Sequence, residues 1–297
     1  MKKRTKIAIL ISVTLILIGI IAIVGASAAI GFDFRRLDTE SYKADRQQID
    51  DVFNSINIDA NICDISLIPS NDGVCRIEYQ TDEDTDFSFK VENGTLTVTE
   101  SREPVIKFSI SFKETYIRLY LPESQYSSLS INTDTSDVAI PSSFSFETAK
   151  ILTDTGEVEY YAAVKNRLSI ETDTGDVDIS KISTDGEITI KTDTGDIEAD
   201  GVNCADFTAE SDTGEISFDN VISKNTIEIK SNTGDVELDR CDASSLLIET
   251  DTGDVEGELL TEKVFITETD TGHIRVPKTS SGGRCEIITN TGDIEFE

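Results

Sequence analysis

Apolar positions recur at a fixed interval along more than half of the chain, and they are centred on a six-residue motif. The motif is TDTSDV at 133, TDTGEV at 153, TDTGDV at 172, TDTGDI at 192, SDTGEI at 211, SNTGDV at 231, TDTGDV at 250, TDTGHI at 269 and TNTGDI at 289. Copies that follow each other every 19 or 20 residues predict a solenoid of stacked rungs.

Within each repeat the apolar residues alternate with polar ones. In the copy at 172 they are Leu168 and Ile170 before the motif, and Val177 and Ile179 at its end. A period of two indicates half-buried strands. We therefore predict an all-β fold: a parallel β-solenoid of about nine rungs over residues 126–297, each with two or three short strands and each stacked on the next in chain order.

The fourth motif position predicts a corner, because glycine is favoured where a type II or bulged turn needs a positive φ. The first copy has Ser136 there, which predicts a modified capping rung. The structural turn glycines are Gly156, Gly175, Gly195, Gly214, Gly234, Gly253, Gly272 and Gly292.

Residues 48–125 have a different pattern and are predicted to form an N-terminal β cap, the opening layers of the same structure. Strands are expected around 54–68, 74–80, 86–91, 95–100, 105–112 and 115–121. Asn93-Gly94 lies between two alternating runs and predicts a hairpin turn. Asn61-Ile62-Cys63-Asp64-Ile65 is a degenerate copy of the motif.

The N-terminal residues predict a membrane segment. Residues 1–6 form a basic tail, and residues 7–30 are long and apolar enough for a transmembrane signal-anchor helix. Lys2, Lys3, Arg4 and Lys6 predict a cytoplasmic N-terminus by the positive-inside rule. A small-residue site at Ala26-Ser27-Ala28 leaves cleavage open. Residues 31–47 would be a polar stalk to an extracellular domain of a single-pass protein of the cell membrane.

The formal net charge of −31 changes the range of partners. It argues against nucleic acid, because phosphate binding needs Lys and Arg, and against direct docking on anionic lipid heads. Basic proteins, cationic peptides, cell-wall components and divalent cations remain. The oligomeric state is left open by the sequence.

Acidic residues form columns at the second, fifth and seventh positions counted from the start of the motif. One hypothesis is a stripe that binds Ca²⁺ or another cationic ligand, and the alternative is a solvated face that keeps the β-stack soluble. Apart from this possible calcium, no cofactor is predicted. The candidate calcium ligands are Asp154, Asp173, Asp176, Asp193, Asp196, Asp212, Asp235, Asp251 and Asp254.

Catalytic residues are not predicted. The chain has one histidine, His273, and acids repeated from rung to rung do not single out a catalytic pair. A non-catalytic surface interaction or envelope-stress module is favoured. The alternatives are a carbohydrate-active enzyme on a β-helix scaffold and a purely structural stalk.

Of five cysteines, Cys241 and Cys285 fall in apolar columns, whereas Cys63 and Cys75 lie on neighbouring candidate strands and could pair.

The repeated TDTGDV/I motif, the lead-in Tyr116-Ile117-Arg118-Leu119-Tyr120-Leu121-Pro122 and the N-terminal apolar segment resemble a bacterial family. It is the "putative adhesin" family of membrane-anchored DTG-repeat domains of unknown function, common near cell-envelope stress systems. The resemblance covers roughly residues 50–297. It implies a β-solenoid without established catalytic residues.

Overall fold

Two long β-sheets face each other across a single apolar core in the computed structural model, which describes residues 16, 18–20, 41–102 and 113–297. One sheet has 13 strands and the other 12. Each repeat contributes a long strand to the 12-stranded sheet, turns at its DTG corner, and contributes a short strand to the 13-stranded sheet. The predicted all-β parallel solenoid is confirmed.

The N-terminal strands are β1 Tyr42–Ile49, β2 Ser55–Asp59, β3 Asp64–Pro69, β4 Cys75–Asp82, β5 Thr85–Glu92, β6 Thr95–Arg102 and β7 Tyr116–Leu121. The repeat strands of the 12-stranded sheet are β8 Gln125–Thr135, β10 Ser145–Thr155, β12 Ala163–Thr174, β14 Glu187–Thr194, β16 Asn203–Thr213, β18 Ile222–Thr233, β20 Ser245–Thr252, β22 Lys263–Thr271 and β24 Gly283–Thr291. Those of the 13-stranded sheet are β9 Val138–Ile140, β11 Val158–Tyr160, β13 Val177–Ser180, β15 Ile197–Asp200, β17 Ile216–Asp219, β19 Val236–Cys241, β21 Val255–Leu259, β23 Ile274–Arg275 and β25 Ile294–Phe296.

The rungs stack in parallel with equivalent residues opposite one another. Ile151 pairs with Ile170, and Ile170 with Ile190, so each apolar position becomes a continuous buried column. A single rung has no second layer on which to bury this face, so the columns form only when several rungs stack.

The N-terminal layers continue the solenoid below the first full repeat. β3 pairs in parallel with β7 and β9, and Ile65 lies opposite Val138, so residues 61–65 occupy the position of a motif. The first full repeat is therefore an interior rung, and the prediction that Ser136 marks a capping rung was wrong. Asn93 and Gly94 both have positive φ and connect β5 to β6, as predicted for the hairpin.

Strand β1 corrects the predicted boundary of the stalk. Residues 42–47, assigned from their polarity to a stalk over 31–47, belong to β1, which pairs antiparallel with β4 along its whole length. An edge strand exposes most of its side chains, so it lacks the apolar alternation by which strands are recognised.

The last two repeats do not stack in chain order. β24 lies between β20 and β22, and β25 lies between β21 and β23. The copy at 289 therefore stacks directly on the copy at 250, and the copy at 269 forms the end of the solenoid. Here the expectation of strictly sequential stacking was wrong.

Side-chain size and polarity account for this exchange. Gly257 lies opposite Phe296, so the smallest residue of its column is beside one of the largest. The repeat at 269 has Thr267 where most other repeats have an aliphatic core residue, and a polar residue there is better tolerated at the half-exposed end. At Gly282 a Cβ would lie 1.8 Å from the carbonyl oxygen of Glu262, and at Gly283 2.6 Å from that of Ser244. The absence of a side chain at these two positions therefore lets β24 pack between β20 and β22.

Some sequence predictions fall outside the described residues. Of the predicted membrane segment 7–30 only residues 16 and 18–20 are described, and these are helical. No helix among the described residues is long and apolar enough to cross a membrane. The predicted strand at 105–112 also lies outside the described part of the chain.

Candidate functional site

The DTG corners form a continuous stack along one edge of the solenoid. The eight motif glycines have φ between +148° and +159°, a region that side chains with a Cβ rarely adopt. A Cβ on Gly195 would lie 2.1 Å from the carbonyl oxygen of Gly175, and the other corners are equally close. The glycines thus lie at the turn between the two strands of each rung, and the corner holds the flanking acidic columns at one-rung spacing.

The first motif position lies inside the corner. Its Thr or Ser side chain is buried in all but the terminal repeat at 269. Thr192 donates to the carbonyl of Gly175 at 3.2 Å, and Ser211 to that of Gly195 at 3.2 Å. These two hydroxyls satisfy the carbonyl of the neighbouring corner and connect adjacent rungs. The hydroxyls at 172, 231 and 250 are buried without a hydrogen-bond partner among the described residues.

Carboxylates of the second motif position point into solvent. Asp154, Asp173 and Asp193 are exposed, as are Asp212 and Asp251. Two asparagines interrupt this column: the Asn232 amide donates to Asp212 at 2.8 Å, and the Asn290 amide donates to Asp251 at 2.9 Å. The column is therefore acidic but partly bridged by neutral amides.

Aspartates of the fifth motif position connect the rungs. The backbone N–H of Asp196 donates to Asp176 Oδ1 at 2.8 Å, that of Glu215 to Asp196 Oδ1 at 2.7 Å, and that of Asp254 to Asp235 Oδ1 at 2.8 Å. The same bond joins Asp64 to residue 137, Asp137 to 157, Asp254 to 293 and Asp293 to 273. We call this series the aspartate ladder.

Glutamate side chains at the same position do not accept bonds of this kind, although their backbone N–H groups donate them. Glu157 and Glu215 have one more methylene, and within the described part of the chain neither accepts such a bond from the next rung. Burial and then neighbouring acids, Glu159 first for Glu157 and Asp196 first for Glu215, raise the pKa of both carboxyls. The bond from the His273 N–H instead lowers the pKa of Asp293. The aspartate ladder was not predicted from the sequence, although the choice between Asp and Glu at the fifth motif position indicates where it forms.

Carboxylates of the seventh position lie on the outer side of the 13-stranded sheet. Glu159 is opposite Asp178, and Asp178 is opposite Glu198. Further along, Glu256 lies between Glu237 and Glu295, and Glu295 also forms an ion pair with Arg275 of the terminal layer. These six carboxylates define what we call the acidic face. In-register like charges about 4.8 Å apart repel by about 0.9 kcal/mol even in water.

A second acidic column on this sheet was not predicted. Asp200 lies opposite Asp219, and Asp219 lies opposite Asp239. The Arg240 guanidinium contacts both Asp219 and Asp239, so this column is partly neutralised. The acidic columns of the second, fifth and seventh motif positions thus extend from the end of the 12-stranded sheet, around the corner, onto the outer side of the 13-stranded sheet.

The outer side of the 12-stranded sheet carries mixed charge. Glu171, Lys191, Glu210, Lys230 and Glu249 lie opposite one another in that order, as their alternation predicted. Lys191 forms an ion pair with Glu210 at 2.5 Å. The two sheets therefore present chemically different surfaces.

Calcium binding stays a prediction. Among the described residues, no group of three or more His, Cys, Asp or Glu side chains is arranged to hold a metal ion. The predicted ligands divide between the exposed second column and the aspartate ladder, where one oxygen of each ladder carboxylate already accepts a backbone N–H.

All five cysteines are buried and free. Burial raises the pKa of each thiol to about 12. Cys63 and Cys75 do not form the disulfide that their positions allowed. A buried thiol is a small apolar side chain and a poor nucleophile, so these residues fill the core.

Stacked corners, in-register columns and two facing parallel sheets define a β-solenoid repeat protein. The chain belongs to the Toastrack DUF4097 family, whose profile matches residues 53–297. No curated protein matches the chain. Solved structures that share its fold include the following two. One, from Bacteroides fragilis NCTC 9343, is described as a putative adhesin; it is 16% identical, with a TM-score of 0.50, covering 88% of this chain and 99% of its own. The other, from Parabacteroides distasonis ATCC 8503, is described as a putative lipid binding protein; it is 13% identical, with a TM-score of 0.50, covering 88% and 98%.

Proposed function

We propose that the protein is a non-catalytic surface module whose acidic face binds basic proteins or peptides. The observation that carries the proposal is the in-register stacking of Glu237, Glu256 and Glu295 on adjacent strands, repeated by Glu159, Asp178 and Glu198. Such columns cost folding energy through repulsion and create a strong local field that attracts cations.

The repetition of these acids supports a non-catalytic role over the carbohydrate-active enzyme. Catalytic acid and base carboxyls need environments that separate their pKa values. Here equivalent carboxylates recur on successive rungs, and this repetition does not single out one acid and one base. The fold shared with a chain described as a putative adhesin is compatible with a surface role.

Binding of a fluorescent decalysine peptide, followed by anisotropy at low salt, tests the proposal. We expect the triple variant E237Q/E256Q/E295Q to weaken binding about tenfold, because it removes one column of the field. The matched control, E171Q/E210Q/E249Q, removes as many charges from the mixed-charge sheet. We expect it to weaken binding by about twofold or less, because its lysines already offset the field there.

Equal weakening by the two triple variants would contradict a face-specific site and indicate net charge alone. Absence of binding by the parent chain would favour the structural stalk. Ca²⁺ and Mg²⁺ at equal millimolar concentration serve as competitors in the same assay. Competition by Ca²⁺ well beyond that of Mg²⁺ would support calcium sites on the Asp columns, whereas equal competition is expected from screening.

We also propose that residues 7–30 anchor the chain in the cell membrane, with the N-terminus cytoplasmic and the solenoid outside. Their length and the basic residues before them support this topology. Protease added to intact cells should digest the solenoid and spare a tag placed before residue 1. Protection of the solenoid until the cells are permeabilised would contradict the proposed topology.

A further inference from the structure

The end of the solenoid formed by the repeat at 269 carries an open strand edge. β22 is nine residues long and pairs with β24 on one side, and no described strand pairs with its other edge. The matching strand of the opposite sheet, β23, has two residues and is followed by Pro277, which cannot donate to a strand ladder. Only the β22 half of this end therefore offers a long row of backbone donors and acceptors.

β22 is held firmly to the layers behind it. The Lys263 side chain is 3% exposed and forms an ion pair with Asp242. Phe265 packs against Phe296 with ring centroids 5.5 Å apart. The open edge is thus a fixed template for pairing.

Two exposed isoleucines lie at the surface beside this edge, each opposite a glutamate of the neighbouring strand. Ile266 is 47% exposed and Ile288 is 36% exposed, on adjacent strands of the outer side of the 12-stranded sheet. In the column of Ile266, the two nearest rungs carry Glu286 and Leu247. The six rungs from β8 to β18 carry Ser130, Lys150, Ser169, Thr189, Thr208 and Glu228. The edge strands at the other end differ as well, because charged residues occupy the exposed side of β1 and β5. Charge on an edge strand opposes pairing. On the outer side of β22, Val264 and Ile266 carry no charge, and the nearest charged side chain on that side of the strand is Glu268.

The terminal layer also lacks the acidity of the interior. Residues 263–278 contain three cationic and two acidic side chains, whereas the equally long interior stretch 187–202 contains one cationic and five acidic ones. At the terminal layer His273 replaces the fifth-position acid and Arg275 the seventh. In a chain with a net charge of −31, this end is a surface where two copies approach with little repulsion.

We propose that this end binds a second copy of the chain, with the two β22 strands pairing antiparallel about a twofold axis at Ile266. A twofold contact uses the same patch on both copies, so an uncharged apolar residue on the axis suits it. Ile266 then faces the partner's Ile266, and Glu268 faces Val264 of the partner subunit rather than another carboxylate. Side chains keep their faces in this register, so Phe265 and Thr267 of both copies remain on the inner side.

Sedimentation equilibrium of the full chain in nonionic detergent tests this contact. We expect a dimer whose dissociation constant rises about tenfold or more in Ile266→Lys, because a lysine on the axis brings two charges together in an apolar contact. Ile222→Lys is the matched control: Ile222 is 36% exposed and lies on an interior rung, so dimerisation should not change. A monomer at all concentrations, or a dimer that Ile266→Lys leaves intact, would overturn the proposal.

Cysteine crosslinking locates the axis independently. All native cysteines are buried, so Ile266→Cys adds an accessible thiol at the proposed axis. Mild oxidation should convert this variant to a disulfide-linked dimer. Thr208→Cys, in the same column on an interior rung, should stay monomeric under the same conditions. Equal crosslinking of both variants would indicate random collision and count against the twofold contact.

Discussion

At the fifth motif position, the length of the acidic side chain determines whether its carboxylate accepts a backbone N–H from the next rung. Asp235 Oδ1 accepts the backbone N–H of Asp254 at 2.8 Å, whereas within the described residues the side chains of Glu157 and Glu215 accept no equivalent bond. The acidic character of this column was evident from the sequence. Its bonding was not, because it depends on the stacking distance between rungs.

We expect Asp235→Ala to lower the free energy of unfolding by about 1 kcal/mol, since the N–H of Asp254 loses its acceptor. Asp235→Asn keeps an oxygen at the same place and removes the charge, so its stability should equal or exceed that of the parent. Urea unfolding of both variants measures the difference. If Asn destabilises as much as Ala, the charge and not the acceptor is what matters.

Neutralising Glu157 and Glu215 should stabilise the fold at neutral pH. Their pKa values are raised by burial and neighbouring acids, so the folded state disfavours the ionised form. The contribution of these two protonated carboxyls to stability is fully present below the ordinary glutamate pKa of about 4.3. It is lost as the pH rises through their raised pKa in the folded state. The E157Q/E215Q variant should therefore melt higher than the parent at pH 7 and equally at pH 3.5. A gain that persists at pH 3.5 would exclude the electrostatic cause.

The strand-turn-strand rung is the element that the sequence predicted best. Alternation around Leu168, Ile170, Val177 and Ile179 identified both strands, and the glycine identified the corner. These features are local and recur in each repeat, so each copy reinforces the inference from the others. β1 was missed because an exposed edge strand carries no apolar period.

Corner glycines should tolerate substitution poorly for a steric reason beyond their φ. In Gly195→Ala the new Cβ would meet the Gly175 carbonyl oxygen at 2.1 Å, and we expect a loss of about 3 kcal/mol or more. Gly201→Ala is the control, because Gly201 has φ +65° but its nearest neighbour would be 3.9 Å away. It should lose only about 1 kcal/mol from backbone strain. Similar losses in chemical denaturation would show that close stacking of the corners is unimportant.

On the scale of the whole molecule, the exchanged order of the last two repeats could not be read from the motif. Spacing between copies is the same whether they stack in sequence or not. The choice depends on long-range complementarity, in which Phe296 fills the space beside Gly257, and on Thr267 being excluded from the interior. Gly282-Gly283 was a signal of close backbone approach, but it did not identify the partner.

This order predicts which aromatic residue matters more for stability. Phe296 is 3% exposed, and we expect Phe296→Ala to cost about 3–5 kcal/mol, as for a core residue. Phe265 is half-buried in the terminal layer, so Phe265→Ala should cost about half of that or less. Thermal and urea unfolding of the two variants provide the comparison. Sequential stacking would reverse the order of the two effects, since Phe296 would then lie at the open end.

The exchanged order also makes folding depend on residues that are synthesised after the layer they support. Most rungs can stack as soon as they emerge, because each finds its predecessor already in place. Residues 263–275 cannot: their neighbours in both sheets are β24 and β25, which emerge later. The C-terminal part of the solenoid therefore closes in one step, and a translation product that stops before residue 283 leaves β22 without its partner. We expect such a product to be digested by proteases faster than the longer chain, because neither edge of β22 would then be paired.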